Sequence, residues 1–184
     1  MSGMVPFDPQ QVIARLVAEG VDFVVIGGVA ATLQGAELPT LDLDIAYERS
    51  RENLERLAAS LRSINVRLRG AEDVPLYVDG VLLGNGEIWT FSSPLGDIDC
   101  LAQPAGAPAY GQLKARADEA VIGSYTVKVA SLDDLIAMKM TTGRAKDVPK
   151  LAELFELRRI VQADRLDETG GTPPGEAIED TDAT

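Results

Sequence analysis

Histidine is absent from the 184 residues of this chain, and cysteine occurs only once. Without histidine there can be no imidazole-based catalytic triad, no zinc site with histidine ligands and no histidine pH switch. The single Cys100 cannot form an internal disulfide, and it lies in an apolar strand pattern where we expect a small buried residue. Acid-base and metal chemistry therefore falls to carboxylates and lysines.

Basic residues are also few, with 17 Lys and Arg against 29 Asp and Glu and a net charge of −12. Six of the acidic residues lie between Asp167 and Thr184, where no basic residue occurs, which leaves −6 for residues 1–166. Nucleic acids are bound largely through Lys and Arg side chains that neutralise phosphates. The charge balance therefore disfavours broad electrostatic binding to nucleic acid.

Long apolar runs are missing as well, since none approaches the roughly 18 residues that a membrane span requires. Residues 1–6 lack the charged and then apolar pattern of an export signal. We therefore expect a cytoplasmic protein with no membrane partner. The length fits one domain, which we place at residues 1–165. Residues 166–184, rich in Gly, Pro, Thr and acidic residues, are expected to form a disordered tail.

Helical and strand patterns alternate along the chain, which predicts an α/β fold. Strands are predicted at residues 21–26, 41–46, 65–68, 87–91, 96–101 and 125–129. Helices are predicted from Pro9 after the cap Asp8, over residues 29–34, after the cap Ser50, over residues 110–116 and after the cap Ser131. Residues 78–86 fit neither pattern clearly. Pro149 predicts a helix break near residues 142–146, before a last helix that carries Leu151, Leu154, Phe155 and Leu157.

Two carboxylates lie close together on one predicted strand. Asp42 and Asp44 are two residues apart, so their side chains leave the same face of the strand, while Leu41, Leu43 and Ile45 are expected to point into the core. Neighbouring like charges raise the pKa of one group unless a positive charge lies between them, and a divalent cation with oxygen ligands meets that need. The alternative is a solvated edge strand with polar residues facing water.

A third carboxylate and a pair of glycines extend this pattern. If the strand at residues 96–101 pairs beside the first, either Asp97 or Asp99 reaches the same place, and the spacing does not choose between them. Gly27 and Gly28 follow a buried strand and precede a helix, where backbone N–H groups favour a phosphate. The alternative for the glycine pair is an ordinary tight turn.

Taken in order, these motifs resemble a known family. Val25 to Ala31, Thr40 to Ile45, Gly96 to Leu101 and Ser131 to Lys139, followed by Gly143-Arg144-Ala145-Lys146-Asp147, are similar to compact bacterial nucleotidyltransferases of the DNA polymerase beta superfamily. The resemblance spans residues 10–160 and is greatest to the toxin components of abortive-infection toxin-antitoxin pairs. It implies a mixed sheet flanked by helices, with a helical segment at the C-terminal end.

The resemblance also implies a set of site residues. Asp42, Asp44 and Asp99 would be the catalytic carboxylates and the ligands of Mg²⁺ or Mn²⁺, which selects Asp99 over Asp97. The nucleoside triphosphate would be bound by Gly27, Gly28, Thr40, Lys139, Arg144 and Lys146. Surface charge on a helix is the alternative for the lysines. The product would be a nucleoside monophosphate joined to an acceptor hydroxyl.

Two functions follow as hypotheses. The first is a metal-dependent nucleotidyltransferase, with RNA such as tRNA, a protein or a small molecule as acceptor and with an antitoxin as a partner if it is a toxin. The acidic charge favours a protein or small molecule over tRNA. The second is a non-catalytic protein that keeps the fold and binds a nucleotide or a partner. Gly28 bears on this choice, because many relatives carry a serine there, and glycine lacks the serine hydroxyl that would contact a phosphate.

Overall fold

The structure, a computed structural model, describes residues 7–143 and 148–168. Its strands are β1 (Phe23–Ile26), β2 (Asp42–Tyr47), β3 (Arg67–Leu68), β4 (Ile88–Ser93), β5 (Gly96–Leu101), β6 (Asp118–Ile122) and β7 (Tyr125–Val129). Its helices are α1 (Pro9–Ala18), α2 (Gly27–Leu33), α3 (Arg51–Ser63), α4 (Gly80–Gly84), α5 (Tyr110–Arg116), α6 (Leu132–Thr142) and α7 (Val148–Glu168).

The strands form one mixed sheet in the order β3-β4-β5-β2-β1-β7-β6. Strand β2 lies at its centre, antiparallel to β1 and parallel to β5. The register sets Asp44 beside Ile26, the last residue of β1, and beside Asp99 of β5. This mixed sheet flanked by helices confirms the predicted fold class. Its register brings the glycine pair and two carboxylate-bearing strands to one place.

Local sequence signals account for where the main helices begin. The side chains of Asp8, Ser50 and Ser131 each accept a hydrogen bond from the backbone N–H three residues later, as helix caps do. Helix α6 ends at Thr142, and Gly143 follows with a left-handed backbone. Helix α7 begins at Val148 with Pro149 in its first turn. The end of α6 lies within the predicted break near residues 142–146, of which residues 144–146 lie outside the described residues.

The central strands are buried because their side chains are apolar on the faces covered by helices. All four residues of β1 are buried, and in β2 and β5 the buried Leu43, Ile45, Ile98 and Cys100 alternate with the carboxylates. Burial raises the pKa of the Cys100 thiol, which keeps it protonated. Cys100 is thus the buried core residue that the sequence predicts.

Two local expectations are wrong. Leu41 does not enter the core: β2 begins one residue later, and the Leu41 side chain is 76% exposed. Helix α2 begins at Gly27 rather than after the glycine pair, so both glycines belong to its first turn.

Two elements have no counterpart in the sequence analysis. Strand β6 pairs with β7 in an antiparallel hairpin, and α4 occupies part of the segment that fitted neither pattern. Helix α7 runs to Glu168 and so includes the first three residues of the segment expected to be a disordered tail, residues 166–184, while the rest of that segment lies outside the described residues. Among the described helices, none combines the length and the apolar character needed to cross a bilayer.

Candidate functional site

Three carboxylates converge where β1 ends and β2 begins. Asp42 and Asp44 lie on the same face of β2, and Asp99 lies beside Asp44 on β5. Each residue offers one oxygen, and these three oxygens all lie within 4.8 Å of one another. The structure thus brings together the three acids that the sequence analysis assigns to one site. Such a cluster needs either protons or a cation to offset its charge.

The pKa of Asp44 shows that the three negative charges of this cluster are unfavourable together. Burial of its side chain, together with the neighbouring charges of Asp42 and Asp99, raises the pKa of Asp44 from 3.8 to about 7. The hydrogen bond from the Gly28 N–H and the charge of Lys139 act in the opposite direction and do not cancel it. The ionised carboxylate is therefore unfavourable in the protein alone, and a cation would stabilise it.

Asp97 and Asp99 have different surroundings, which separates the two candidates for the third carboxylate. Asp99 is 19% exposed and belongs to the cluster, whereas Asp97 is 41% exposed and does not. Burial is the main cause that raises the pKa of Asp99, and the Arg69 guanidinium opposes the shift. Arg69 contacts both acids, with Nη2 2.5 Å from Asp99 Oδ1 and Nε 3.0 Å from Asp97 Oδ2.

The glycine pair is required by the space that its neighbours occupy. Gly27 has a φ of +67°, and a Cβ atom there would lie 1.9 Å from Asp44 Oδ2. A Cβ atom at Gly28 would lie 2.6 Å from Thr40 Oγ1. The absence of both side chains lets the first turn of α2 lie against the carboxylate strand, with the Gly28 N–H donating to Asp44.

Gly27→Ala tests this close approach. Gly20 has the same φ of +67°, yet a Cβ atom there would meet nothing within 4 Å, so Gly20→Ala is a matched control. We expect Gly20→Ala to lower the free energy of unfolding by about 1 kcal/mol, from backbone strain alone. Gly27→Ala should lower it by about 3 kcal/mol or more, because the methyl group also displaces the Asp44 carboxylate. Denaturant unfolding of both variants measures the difference, and equal losses would refute the steric role of Gly27.

Thr40 orders the start of the carboxylate strand. Its hydroxyl lies 3.0 Å from the Asp42 backbone oxygen and 3.1 Å from Asp42 Oδ1, and it donates to these acceptors. The same side chain packs against Gly28. Thr40 therefore links the glycine pair to Asp42, which is a positioning contact that its predicted role in nucleotide binding does not include.

Two lysines line the same cleft as the acids. A cleft of about 330 Å³ is lined by Gly27, Gly28, residues 38–42, Asp44, Asp99, Lys139 and Lys150. Lys139 lies close enough to Asp44 to lower the pKa of that carboxyl. Arg144 and Lys146, which were also predicted to bind the nucleotide, lie outside the described residues.

An apolar recess of about 180 Å³ adjoins the cleft. It shares Gly27, Asp44 and Lys139 with the cleft, and its remaining walls are mostly apolar: Ile26, Leu101, Pro104, Ala105, Leu135, Met138 and Thr142. A polar cleft beside a small apolar recess is the arrangement that binds a ligand with a charged part and a flat or apolar part.

Sequence reasoning missed two basic residues of this region, Arg69 and Lys150. Arg69 follows the two-residue strand β3, whose pairing with β4 brings it to Asp99, and no local pattern reveals that pairing. Lys150 lies in the first turn of α7, and only the packing of that helix beside the cleft gives it a role.

The site fits a divalent cation by the chemistry of its donors. Three carboxylate oxygens in mutual reach are hard ligands, which suit Mg²⁺ or Mn²⁺ rather than a soft metal. The raised pKa of Asp44 shows that its negative charge is unfavourable in the protein alone, and a bound divalent cation would offset that charge.

Sheet topology and the position of the acids together define a nucleotidyltransferase-like fold. The sequence itself matches no protein-family model and no curated protein. The likeness lies in solved structures. The crystal structure of TM1012 from Thermotoga maritima, described as a candidate nucleotidyltransferase, has a TM-score of 0.51 at 15% identity, covering 80% of this chain and 90% of that chain.

The second similar fold is that of the antibiotic-resistance factor ANT(2'')-Ia. Its crystal structure with adenylyl-2''-tobramycin has a TM-score of 0.54 at 18% identity, covering 87% of this chain and 93% of that chain. Its solution structure has a TM-score of 0.51 at 14% identity, covering 88% and 95%. At these identities the likeness concerns the fold alone. The sequence resemblance to toxin components stays a prediction.

Proposed function

We propose that this chain is a metal-dependent nucleotidyltransferase that moves a nucleoside monophosphate from a nucleoside triphosphate to an acceptor hydroxyl. The observation that carries the proposal is the convergence of Asp42, Asp44 and Asp99 beside the glycine pair of α2. Binding a nucleotide alone would not need three converging carboxylates, since backbone N–H groups and lysines suffice for phosphates.

Asp42, Asp44 and Asp99 would hold Mg²⁺ or Mn²⁺ in this proposal. When bound, the ion would lower the pKa of the acceptor hydroxyl and offset negative charge on the phosphates. The protein contributes rigidity to this set, because Thr40 holds Asp42 and the Gly28 N–H holds Asp44. These contacts fix two of the three carboxylates before any ligand arrives.

The reaction would form one bond and break another at the α-phosphorus. The acceptor oxygen bonds to that phosphorus, the bond to the β-phosphate oxygen breaks, and pyrophosphate leaves. Asp99, whose pKa is raised by burial, would accept the hydroxyl proton. Lys139 and Lys150 line the same cleft and would balance charge on the triphosphate and the leaving pyrophosphate. The apolar recess would take the base or another flat group.

A small molecule is the acceptor class that the charges favour. The chain is acidic, and the cleft itself holds three carboxylates. The phosphates of a long RNA would therefore be repelled by acidic side chains wherever they are not next to Lys139 or Lys150. ANT(2'')-Ia, bound to adenylyl-2''-tobramycin, is a similar fold with an adenylylated small molecule. A small hydroxyl-bearing molecule is therefore the first acceptor to test, ahead of a protein and of tRNA.

Label transfer tests the proposal. The full chain is incubated with α-³²P-labelled nucleoside triphosphates, Mg²⁺ or Mn²⁺ and three acceptor pools: small metabolites, proteins and RNA. We expect label in the small-molecule pool, and none when EDTA replaces the metal. Metal-dependent nucleotide binding without transfer to any pool would favour the non-catalytic hypothesis. A toxin role and an antitoxin partner stay predictions of the sequence resemblance, tested by growth arrest on expression of the chain.

A further inference from the structure

Arg69 contacts the acidic cluster through Asp99 and does not line the cleft that holds Lys139 and Lys150. Its backbone N–H donates to the Thr90 oxygen at 3.0 Å, which fixes it beside strand β4. From there the side chain reaches across β4 to β5, where Nη2 lies 2.5 Å from Asp99 Oδ1. Asp99 is one of the three acids proposed to hold the cation, so one of its oxygens is already bound to a guanidinium.

The hydrogen bonding of Arg69 is incomplete. Nε lies 3.0 Å from Asp97 Oδ2, but this ion pair lacks hydrogen-bond geometry, and Nε is a buried atom without a hydrogen-bond partner. Nη2 also donates to the Phe91 oxygen at the long distance of 3.4 Å. An arginine in an optimal bidentate pair would satisfy Nε and Nη together. Arg69 therefore makes one hydrogen bond to Asp99 and a charge pair with Asp97 but no bidentate pair, so its contact with Asp99 is open to competition from another cation.

We propose that Arg69 is an internal counter-ion of Asp99 that competes with the divalent cation for this carboxylate. The inference rests on the proposed function, since it assumes that Asp42, Asp44 and Asp99 hold the cation. While Arg69 is paired, only Asp42 and Asp44 remain fully available as ligands. Cation binding at all three acids would then use the other Asp99 oxygen and place a second positive charge beside the Arg69 guanidinium, and this repulsion lowers the affinity of the protein for the ion.

The acids around Arg69 set the direction in which loss of its charge changes cation binding. Asp97 and Asp99 face the guanidinium. Hydrogen bonds from the Gly70 and Glu72 backbone are the main causes that lower the pKa of Glu72, and the nearby charge of Arg69 adds to them. Removing the positive charge leaves these acids unbalanced next to the cation site, so a divalent ion becomes more favourable there. Loss of orientation of Asp99 would act in the opposite direction, and the measured sign decides between the two roles.

Arg69→Met tests the counter-ion role, with Arg67→Met as a matched control. Arg67 lies two residues earlier on the same edge of the sheet, is exposed, and donates to the Glu72 backbone oxygen rather than to the acids of the cluster. Both variants remove one positive charge from the full chain. Mn²⁺ binding without nucleotide is measured by calorimetry and by the electron paramagnetic resonance signal of free Mn²⁺. Thermal unfolding and far-ultraviolet circular dichroism check the fold.

Arg69→Met should bind Mn²⁺ about tenfold more tightly than the wild type, and Arg67→Met should stay within about twofold, because exposed charges are screened. Arg69→Lys keeps the charge but loses the planar guanidinium, so its Mn²⁺ affinity should lie between those of the two methionine variants. It also serves as the test if Arg69→Met fails to fold. Equal or weaker Mn²⁺ binding in a folded Arg69→Met would overturn the counter-ion role.

The outcomes separate this inference from the proposed function. If the wild type and Arg69→Met both bind Mn²⁺ equally, only the inference fails. If neither binds Mn²⁺, the metal-dependent function and the inference both fail. If Arg69→Met binds and the wild type does not, the counter-ion role is supported in its strongest form. As an independent readout, the Mn²⁺ concentration that half-maximally stabilises the fold should fall in Arg69→Met.

Discussion

Asp42→Asn and Asp44→Asn are each expected to reduce transfer of labelled nucleoside monophosphate on the order of a thousandfold. Asn has nearly the shape of Asp, so the tight contacts with Thr40 and Gly27 are kept while a charged ligand is lost. The two remaining carboxylates carry less negative charge, so they bind a cation less tightly. Initial rates at saturating nucleotide and metal measure the loss.

Asp133→Asn is the matched control for these variants. Asp133 is an exposed acid in the first turn of α6, paired with Arg158 at 3.1 Å and outside the cluster. Its substitution removes the same charge from the chain, and transfer should stay within about twofold of the wild type. If Asp42→Asn or Asp44→Asn retained the wild-type rate, the carboxylates would not be the catalytic ligands.

Asp44→Asn is also expected to stabilise the protein in the absence of divalent cations, by an amount that grows with pH. The ordinary pKa of Asp44 is 3.8, and in the folded protein it is about 7. Between these values the unfolded chain loses the Asp44 proton while the folded chain keeps it, so rising pH favours unfolding. Above pH 7 both states are ionised and the full destabilisation is present. Asn carries no such charge.

Denaturant unfolding in EDTA measures this effect as the difference between Asp44→Asn and wild type. From pH 5.5 to pH 8 the difference in unfolding free energy should rise by about 2 kcal/mol in favour of the variant, since each pKa unit corresponds to 1.36 kcal/mol. Adding Mg²⁺ at pH 8 should then stabilise the wild type and leave the variant nearly unchanged. A difference that stays constant with pH would contradict the charge repulsion assigned to Asp44.

One substitution would therefore remove activity and add stability. This combination is typical of a site whose charged groups are assembled for a ligand at the expense of the unliganded fold. A residue with a purely structural role would lose both. The pair of measurements separates a functional carboxylate cluster from three acids that merely share a sheet face.

Local signals in the sequence account for most of the fold. Caps at Asp8, Ser50 and Ser131 set helix starts, and the alternation in β2 and β5 sets which side chains face the core. The exposed Leu41 shows the limit of such patterns, because an apolar residue at a strand end can lie outside the ladder. Strand β6 was missed since its hairpin partner, rather than its own sequence, stabilises it.

The site was predictable in its acids and less so in its basic residues. Asp42 and Asp44 share a face by local geometry, but strand spacing did not separate Asp99 from Asp97: the family resemblance selected Asp99, and the structure places Asp99 in the cluster. Arg69 and Lys150 reach the site through tertiary packing, which leaves no periodic signal along the chain. Contacts between elements distant in sequence determine these roles.

The most direct test of the account is a crystal structure of the full chain with Mn²⁺ and a non-hydrolysable nucleoside triphosphate. Anomalous scattering locates Mn²⁺ independently of the protein atoms. The account predicts an anomalous peak bound by oxygens of Asp42, Asp44 and Asp99, with the phosphates in the cleft between the first turn of α2 and Lys139. Mn²⁺ bound elsewhere, or a triphosphate outside that cleft, would contradict it.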